Sequence, residues 1–369
     1  MVRGAALAAR PRGCDAVRMN LPLRIQDEPG TERVISVDGA FGAPGLNLSH
    51  WPGNATPREL KHDLSTGIAL EFARLPSGRR AELTAGCVAI ANNHFDTDGA
   101  SAIFAVLHPG PALERTRLLL DVAAAGDFFQ MPSEHALKVD LIVEGLVDAE
   151  RSPWKSTFAG LSDSQRGEHV LRELMPRLSG ILDGDVDPYA DLWAGELEIA
   201  RADLADLALA ARDEVTHLDL AVWTAPERRS SSRSRQTAHH FDPGRHALFG
   251  STRADRVLVI GPQGAGATYR FVLSTLSWFD LVSRKMQPRP DLARLAARLN
   301  ELEGSTPGEA CAWRAQDTHS PSPELWFGRA DHQRFAEHAP ALEPSRLPAA
   351  TVRRAIADAL RASWEFPED

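Results

Sequence analysis

Residues 92–99 read Asn-Asn-His-Phe-Asp-Thr-Asp-Gly, so His94, Asp96 and Asp98 alternate in a short polar segment. It follows the apolar run 87–91 and precedes a helix-like run, 100–107. In open α/β sheets, ligands gather beyond the carboxyl ends of the strands. Alternate residues in a strand-to-helix turn can point into one cavity, and an imidazole with carboxylates there suits a divalent cation. Mixed nitrogen and oxygen donors favour manganese, iron or zinc over calcium. Gly99 allows a tight turn and close approach of an anion, and the N-terminus of the following helix would stabilise a phosphate. Asp127, closing the apolar run 118–128, is expected at the equivalent place after a further strand, as a bridging ligand. With two ions bound, a bridging hydroxide could attack phosphorus.

The same residues have a plainer reading. An Asp or Thr before a helix is an ordinary cap, and His94 can simply hydrogen-bond a loop. A calcium loop is rejected, because the closing glutamate and the intervening acids are missing. His239-His240-Phe241-Asp242 is a second cluster, in which one histidine could reach a site while its neighbour faces away. The basic, serine-rich stretch 228–237 before it reads as an exposed loop. His217 with Asp219, and His246, are weaker candidates.

Gly261-Pro262-Gln263-Gly264-Ala265-Gly266 follows a strand but lacks a Lys-Ser/Thr ending, so it reads as a glycine-rich hairpin or bulge and not as a nucleotide loop. Arg284, Arg289, Arg294 and Arg298 form a basic neighbourhood. Arg294 and Arg298 share a helix face and could bind a phosphate, or could be solvated or bridged to Asp291 and Glu301. A rigid Trp51-Pro52-Gly53-Asn54 loop beside His50 could cover a pocket. There is no Gly-x-Ser-x-Gly elbow and no recognisable cysteine nucleophile, which lowers acyl-transfer readings.

Elements able to position these groups are readable. Strands are expected at 33–37, 87–91, 218–223, 256–260, 269–279, 313–315 and 324–327. Helices are expected from Thr56-Pro57, then over 64–75, 136–147, 164–175, 188–212, 292–302 and 349–364. Strand–helix alternation over the first 130 residues favours an α/β fold with a doubly wound, mostly parallel sheet. The expected organisation is an irregular tail over 1–30, an α/β core over 31–250 and a smaller C-terminal α+β region over 251–369.

The chain has 369 residues, a formal charge of -9 and three cysteines. That balance argues against duplex nucleic acid as a partner, which needs a positive surface. It leaves room for a small phosphorylated molecule or a short nucleotide. No run of 18 apolar residues suggests a membrane span. Few cysteines and no secretory leader pattern fit a cytoplasmic protein.

The His94-Phe95-Asp96-Thr97-Asp98-Gly99 segment resembles the first motif of the DHH-type phosphoesterases, a family of single-strand exonucleases, pyrophosphatases and small-nucleotide phosphodiesterases. The resemblance covers roughly residues 87–127. It implies a DHH-like core and a two-metal, usually manganese, hydrolytic centre. His94, Asp96 and Asp98 would be first-motif ligands and Asp127 the second-motif aspartate. The third motif, Asp-His-His, is met only by Ala238-His239-His240, with Asp242 after the pair. The whole chain, with His50-Trp51-Pro52-Gly53-Asn54 and Pro288-Arg289-Pro290-Asp291-Leu292, also looks like a bacterial protein family of unassigned function.

The expectation is a metal-dependent hydrolase of a phosphoric ester or anhydride, acting through a metal-bound water. His94, Asp96, Asp98 and Asp127 would hold metal, Mn2+ by preference. Asp98, His239 and His240 would be catalytic, and Gly99, Arg284 and Arg294 would bind substrate. A non-catalytic α/β protein binding a small anion, or a structural or interaction protein, is the alternative.

Overall fold

The structure is a computed structural model. It describes residues 21–26, 28, 30–39, 42–226, 241–306, 309–329 and 342–364. His239, His240 and the stretch 228–237 lie outside the described residues.

The fold is mixed α/β with two sheets. Strands β1 (Leu23–Ile25), β2 (Val34–Val37), β3 (Gly45–Leu48) and β4 (Ile90–Asn92) form a fully parallel sheet in the order β1-β4-β2-β3. β2 is fully buried, with three β-branched residues around Ser36, as suits an inner strand of a parallel sheet. Ile35, Leu48 and Ile90 pack with Ile68 and Phe72 of the helix Ser65–Arg74 and with Ile103 and Phe104 of the helix Thr97–Leu107. Leu23–Ile25 is strand, although the stretch 1–30 was expected to be irregular: its three residues are recruited by pairing with β4.

A second, mixed sheet takes β5 (Ala211–Val215), β6 (Leu220–Thr224), β7 (Arg256–Gln263), β8 (Gly266–Leu273), β9 (Ala312–Ala315) and β10 (Glu324–Gly328), in the order β5-β6-β7-β8-β10-β9. Only β6–β7 is parallel. The helices Leu292–Glu303 and Ala349–Ala362 bury Leu295, Leu299, Val352 and Ile356 in a core with Leu258 and Phe271. The glycine-rich stretch after β7 is the expected hairpin: Gln263 pairs with Gly266, and Gly264 takes a φ of 60° in the turn.

Residues 118–128 correct the reading. They belong to the helix Thr116–Phe128 and not to a strand. A continuous apolar run cannot be told from a buried helix by periodicity, and here three consecutive alanines, Ala123 to Ala125, favour the helix. Other differences are local. The chain breaks at Leu75 and Pro76 but re-enters a helix, Ser77–Leu83. Strand β8 ends at Leu273, before a single 3-10 turn at Thr275–Ser277.

Leu64, Ala123 and Phe128 from the first half pack with Phe279, and Trp51 and Trp278 lie against that cluster. The segment after β8 is thereby fixed on the carboxyl edge of the parallel sheet, where the polar residues gather.

Candidate metal centre

Three neighbouring parallel strands end in the residues of interest. Asp38 directly follows β2, His50 comes two residues after β3, and His94 comes two residues after β4. Asp38 turns the chain with a φ of 51°, in the left-handed region that aspartate tolerates better than most residues. Asp96 then caps the helix Thr97–Leu107, its Oδ1 accepting from the Gly99 N–H at 2.8 Å. Asp98, in the first turn of that helix, accepts from the Ser65 and Thr66 N–H groups at 2.7 and 2.8 Å, and so closes the open N-terminus of Ser65–Arg74. The cap reading therefore holds for Asp96, whereas Asp98 sits inside that helix and closes the start of another, and neither role exhausts the residue.

Asp127 enters from the last turn of its helix, with Oδ2 2.9 Å from His50 Nε2. His50 Nε2 is also 3.5 Å from Asp38 Oδ1 and 3.7 Å from Asp98 Oδ2. The other oxygen of Asp38, Oδ2, lies 3.4 Å from His94 Nε2, which is 2.8 Å from Asp96 Oδ2. Two ligand sets follow, Asp38–His50–Asp98–Asp127 and Asp38–His94–Asp96, the candidate ligand atoms of each lying within 4.8 Å of one another. Asp38 belongs to both. His94, Asp96, Asp98 and Asp127, expected as one group, are thus divided between two sets joined by a carboxylate.

Asp38 was missed, and His50 was read only as the neighbour of a covering tryptophan. Both obey the rule that drew attention to His94: each stands just past the end of a buried parallel strand. Asp38 after Val34–Val37 was open to the same reasoning.

The remaining candidates fall elsewhere. Gly99 is inside the site: a Cβ there would meet Asn92 Nδ2 at 2.4 Å and Asp38 Oδ2 at 3.2 Å, so the position has room only for glycine. Arg284 donates to Asp219 Oδ2 at 2.5 Å. Arg294 is exposed on the helix Leu292–Glu303, its backbone N–H held by the Asp291 cap. Neither arginine makes a hydrogen bond or ion pair with the cluster among the described residues. Arg289 is committed to backbone carbonyls, including Thr318 and Pro321. His246 faces Asp140 and the Ala125 carbonyl, outside both ligand sets.

The electrostatics are those of crowded carboxylates. Burial, then the neighbouring Asp96, push the Asp38 carboxyl up to about 6. Burial and Asp98 raise Asp127 well above the usual range. For His94, burial opposes the charge, but Asp96 and Asp38 outweigh it and lift the imidazole to about 10. His50 is likewise raised, against burial, by Asp127 and Asp38. Burial acts to raise Asp96 too, yet His94 holds it below the ordinary value. Without metal, the imidazoles take up protons and serve as the site's cations.

The donors fit a cation. Asp38 Oδ2, His50 Nε2 and Asp127 Oδ2 are buried and make no well-aligned hydrogen bond, although His50 Nε2 and Asp127 Oδ2 stand 2.9 Å apart as an ion pair. Buried polar atoms so poorly aligned are rare in a folded interior, and an ion placed among them would satisfy them better than they satisfy one another. A buried acidic and histidine cluster able to hold a divalent metal is therefore present. Over its rim, the Trp51 ring lies 4.9 Å from the ring of His94 and meets Trp278 edge-on, also at 4.9 Å.

No helix among the described residues is long and apolar enough to cross a membrane. A search of curated proteins finds no match. A search of solved structures returns a chain titled "pGpG-specific phosphodiesterase - PggH from Vibrio cholrae", with 9% identity over 89% of this chain and 84% of that one, and a TM-score of 0.32. A likeness that slight carries no argument. The family model described as "Family of unknown function (DUF6687)" matches residues 23–369, and the chain belongs to that family.

Proposed function

We propose that this DUF6687 member is a metal-dependent hydrolase of a phosphoric ester or anhydride, with Asp38, His50, His94, Asp96, Asp98 and Asp127 as its metal ligands. The observation that carries the reading is the convergence of buried carboxylate and imidazole atoms, Asp38 Oδ2, His50 Nε2 and Asp127 Oδ2 among them, that make no well-aligned hydrogen bond. The resemblance of His94 to Gly99 to the first DHH motif supports it. So does the shared carboxylate of Asp38, the arrangement a pair of ions needs.

When bound, divalent cations of this kind polarise a phosphoryl oxygen and acidify a water at neutral pH. The chain supplies the rest. His50 and His94 present Nε2 to the site, and the carboxylates offset the charge of the cations. The missing side chain at Gly99 lets the backbone pack close against Asn92 and Asp38. Trp51 and Trp278 offer aromatic surface at the rim on which a planar base can stack. A small nucleotide is therefore preferred over a purely inorganic phosphate. Manganese is the preferred metal, since mixed imidazole and carboxylate donors suit it.

The test is direct. Chelator-treated protein is titrated with Mn2+ by calorimetry, and hydrolysis of a dinucleotide phosphodiester and of inorganic pyrophosphate is followed with and without the metal. Binding of Mn2+ with metal-dependent turnover is expected. Binding without turnover of either substrate would leave a metal-binding protein and overturn the hydrolase. No binding would overturn the metal centre itself.

A further inference from the structure

A second cavity, of about 450 Å³, opens between the helix Thr116–Phe128 and the segments around the second sheet. None of the six proposed ligands lines it. Its volume lies within the ordinary range for small-molecule sites. Its apolar lining comprises Leu64, Leu120, Ala124, Phe128, Phe249 and Leu276.

Its charged lining consists of Asp63, Arg253 and Arg284, with His62 beside them. Asp63 is already occupied, its Oδ1 accepting from the Val282 and Ser283 N–H groups at 2.7 and 2.9 Å. Arg284 is paired with Asp219. Arg253 is exposed and makes no hydrogen bond or ion pair among the described residues. The cavity thus combines an apolar wall with one uncommitted guanidinium, which matches a small amphipathic anion. The ligand's apolar body would displace water from the leucine and phenylalanine wall, and its acidic group would meet a planar, permanently charged fork.

We infer that this cavity is a second ligand site, separate from the metal centre, for a small molecule with an apolar ring or chain and one acidic group. The site needs neither metal nor turnover. Measured on chelator-treated protein, it stands or falls apart from the hydrolase reading.

Anilinonaphthalene sulfonate, an aromatic body bearing one anion, is a suitable probe, because its fluorescence rises in apolar surroundings. N-phenylnaphthylamine, with a similar body and no charge, is the control. Wild-type protein is expected to bind the sulfonate saturably, at one equivalent. Arg253→Ala, at an exposed position, should weaken the sulfonate about tenfold and leave the neutral control unmoved. Gln130→Trp, which fills the cavity from its edge, should remove both signals, with near-ultraviolet circular dichroism reporting that the fold is kept. The inference is overturned if the folded wild type shows no saturable binding, or if Arg253→Ala binds both probes as the wild type does.

Discussion

The Nδ1 atom of His50 lies 2.6 Å from the carbonyl oxygen of Asp63. A carbonyl can only accept, so the ring proton sits on Nδ1 and the neutral ring presents a lone pair at Nε2. That is the tautomer a metal-ligating histidine needs, and a hydrogen bond of this kind is its usual support. Phe279 fixes the ring plane, stacked on it at 3.8 Å between centroids and 17° between planes. His50→Gln replaces the imidazole nitrogen by a weaker amide donor, and Mn2+ affinity should fall by at least tenfold in calorimetry. Unchanged affinity would remove His50 from the ligand set.

Asp38 makes the pH dependence of the metal-free protein predictable. Its carboxyl titrates near 6 when folded, against an ordinary 3.8. The folded state therefore holds the extra proton between those values. Asp38 contributes stability that is fully present below about pH 4 and is lost as pH rises through 6. His94, raised to about 10 from 6.5, acts in the same direction at higher pH. In thermal melts without metal, Asp38→Asn should flatten the fall between pH 4 and 6, and Mn2+ should stabilise the wild type more at pH 8 than at pH 6, because binding displaces these protons. A wild-type gain from Mn2+ that is the same at both pH values would refute this.

Asp98 serves two masters, the two N–H groups opening the helix Ser65–Arg74 and the candidate metal set. Asp98→Asn keeps one accepting oxygen, so its structural cost without metal should be modest, about 1 kcal/mol, or on the order of 2–4 °C in melting temperature. Bound Mn2+, read by metal analysis after dialysis, should nonetheless be lost. If the variant melts early yet retains its metal, Asp98 is only a cap.

How much of this was readable depended on whether a residue's role was local. His94, Asp96 and Asp98 share one turn, so their spacing announced them. The glycine-rich hairpin after β7 and the helix Leu292–Glu303 were equally local. Asp127 was assigned to the site on a mistaken strand, and reaches it from a helix because Phe128 and Ala123 pack against Phe279 and Leu64. Asp38 and His50 stand 60 and 48 residues from Asp98, and only the β4-β2-β3 strand order brings them beside it. No spacing rule encodes that order. Phe279 is further still, placed by a hydrogen bond from the Asp280 N–H to the His50 carbonyl at 2.8 Å.

The tryptophan rim separates substrate classes. Trp51 lies against His94 and Trp278, and the Trp278 indole N–H is held by the His319 carbonyl at 3.0 Å, which steadies the pair. Stacking of a base on such a surface contributes about 1–3 kcal/mol. Trp51→Ala should therefore raise KM for a dinucleotide phosphodiester about tenfold while kcat stays within about twofold, since no reacting atom is touched. Hydrolysis of inorganic pyrophosphate, which has no ring to stack, should keep its KM. Equal losses on both substrates would mean that Trp51 only holds His94 in place. An unchanged KM for the dinucleotide would exclude base stacking at this rim.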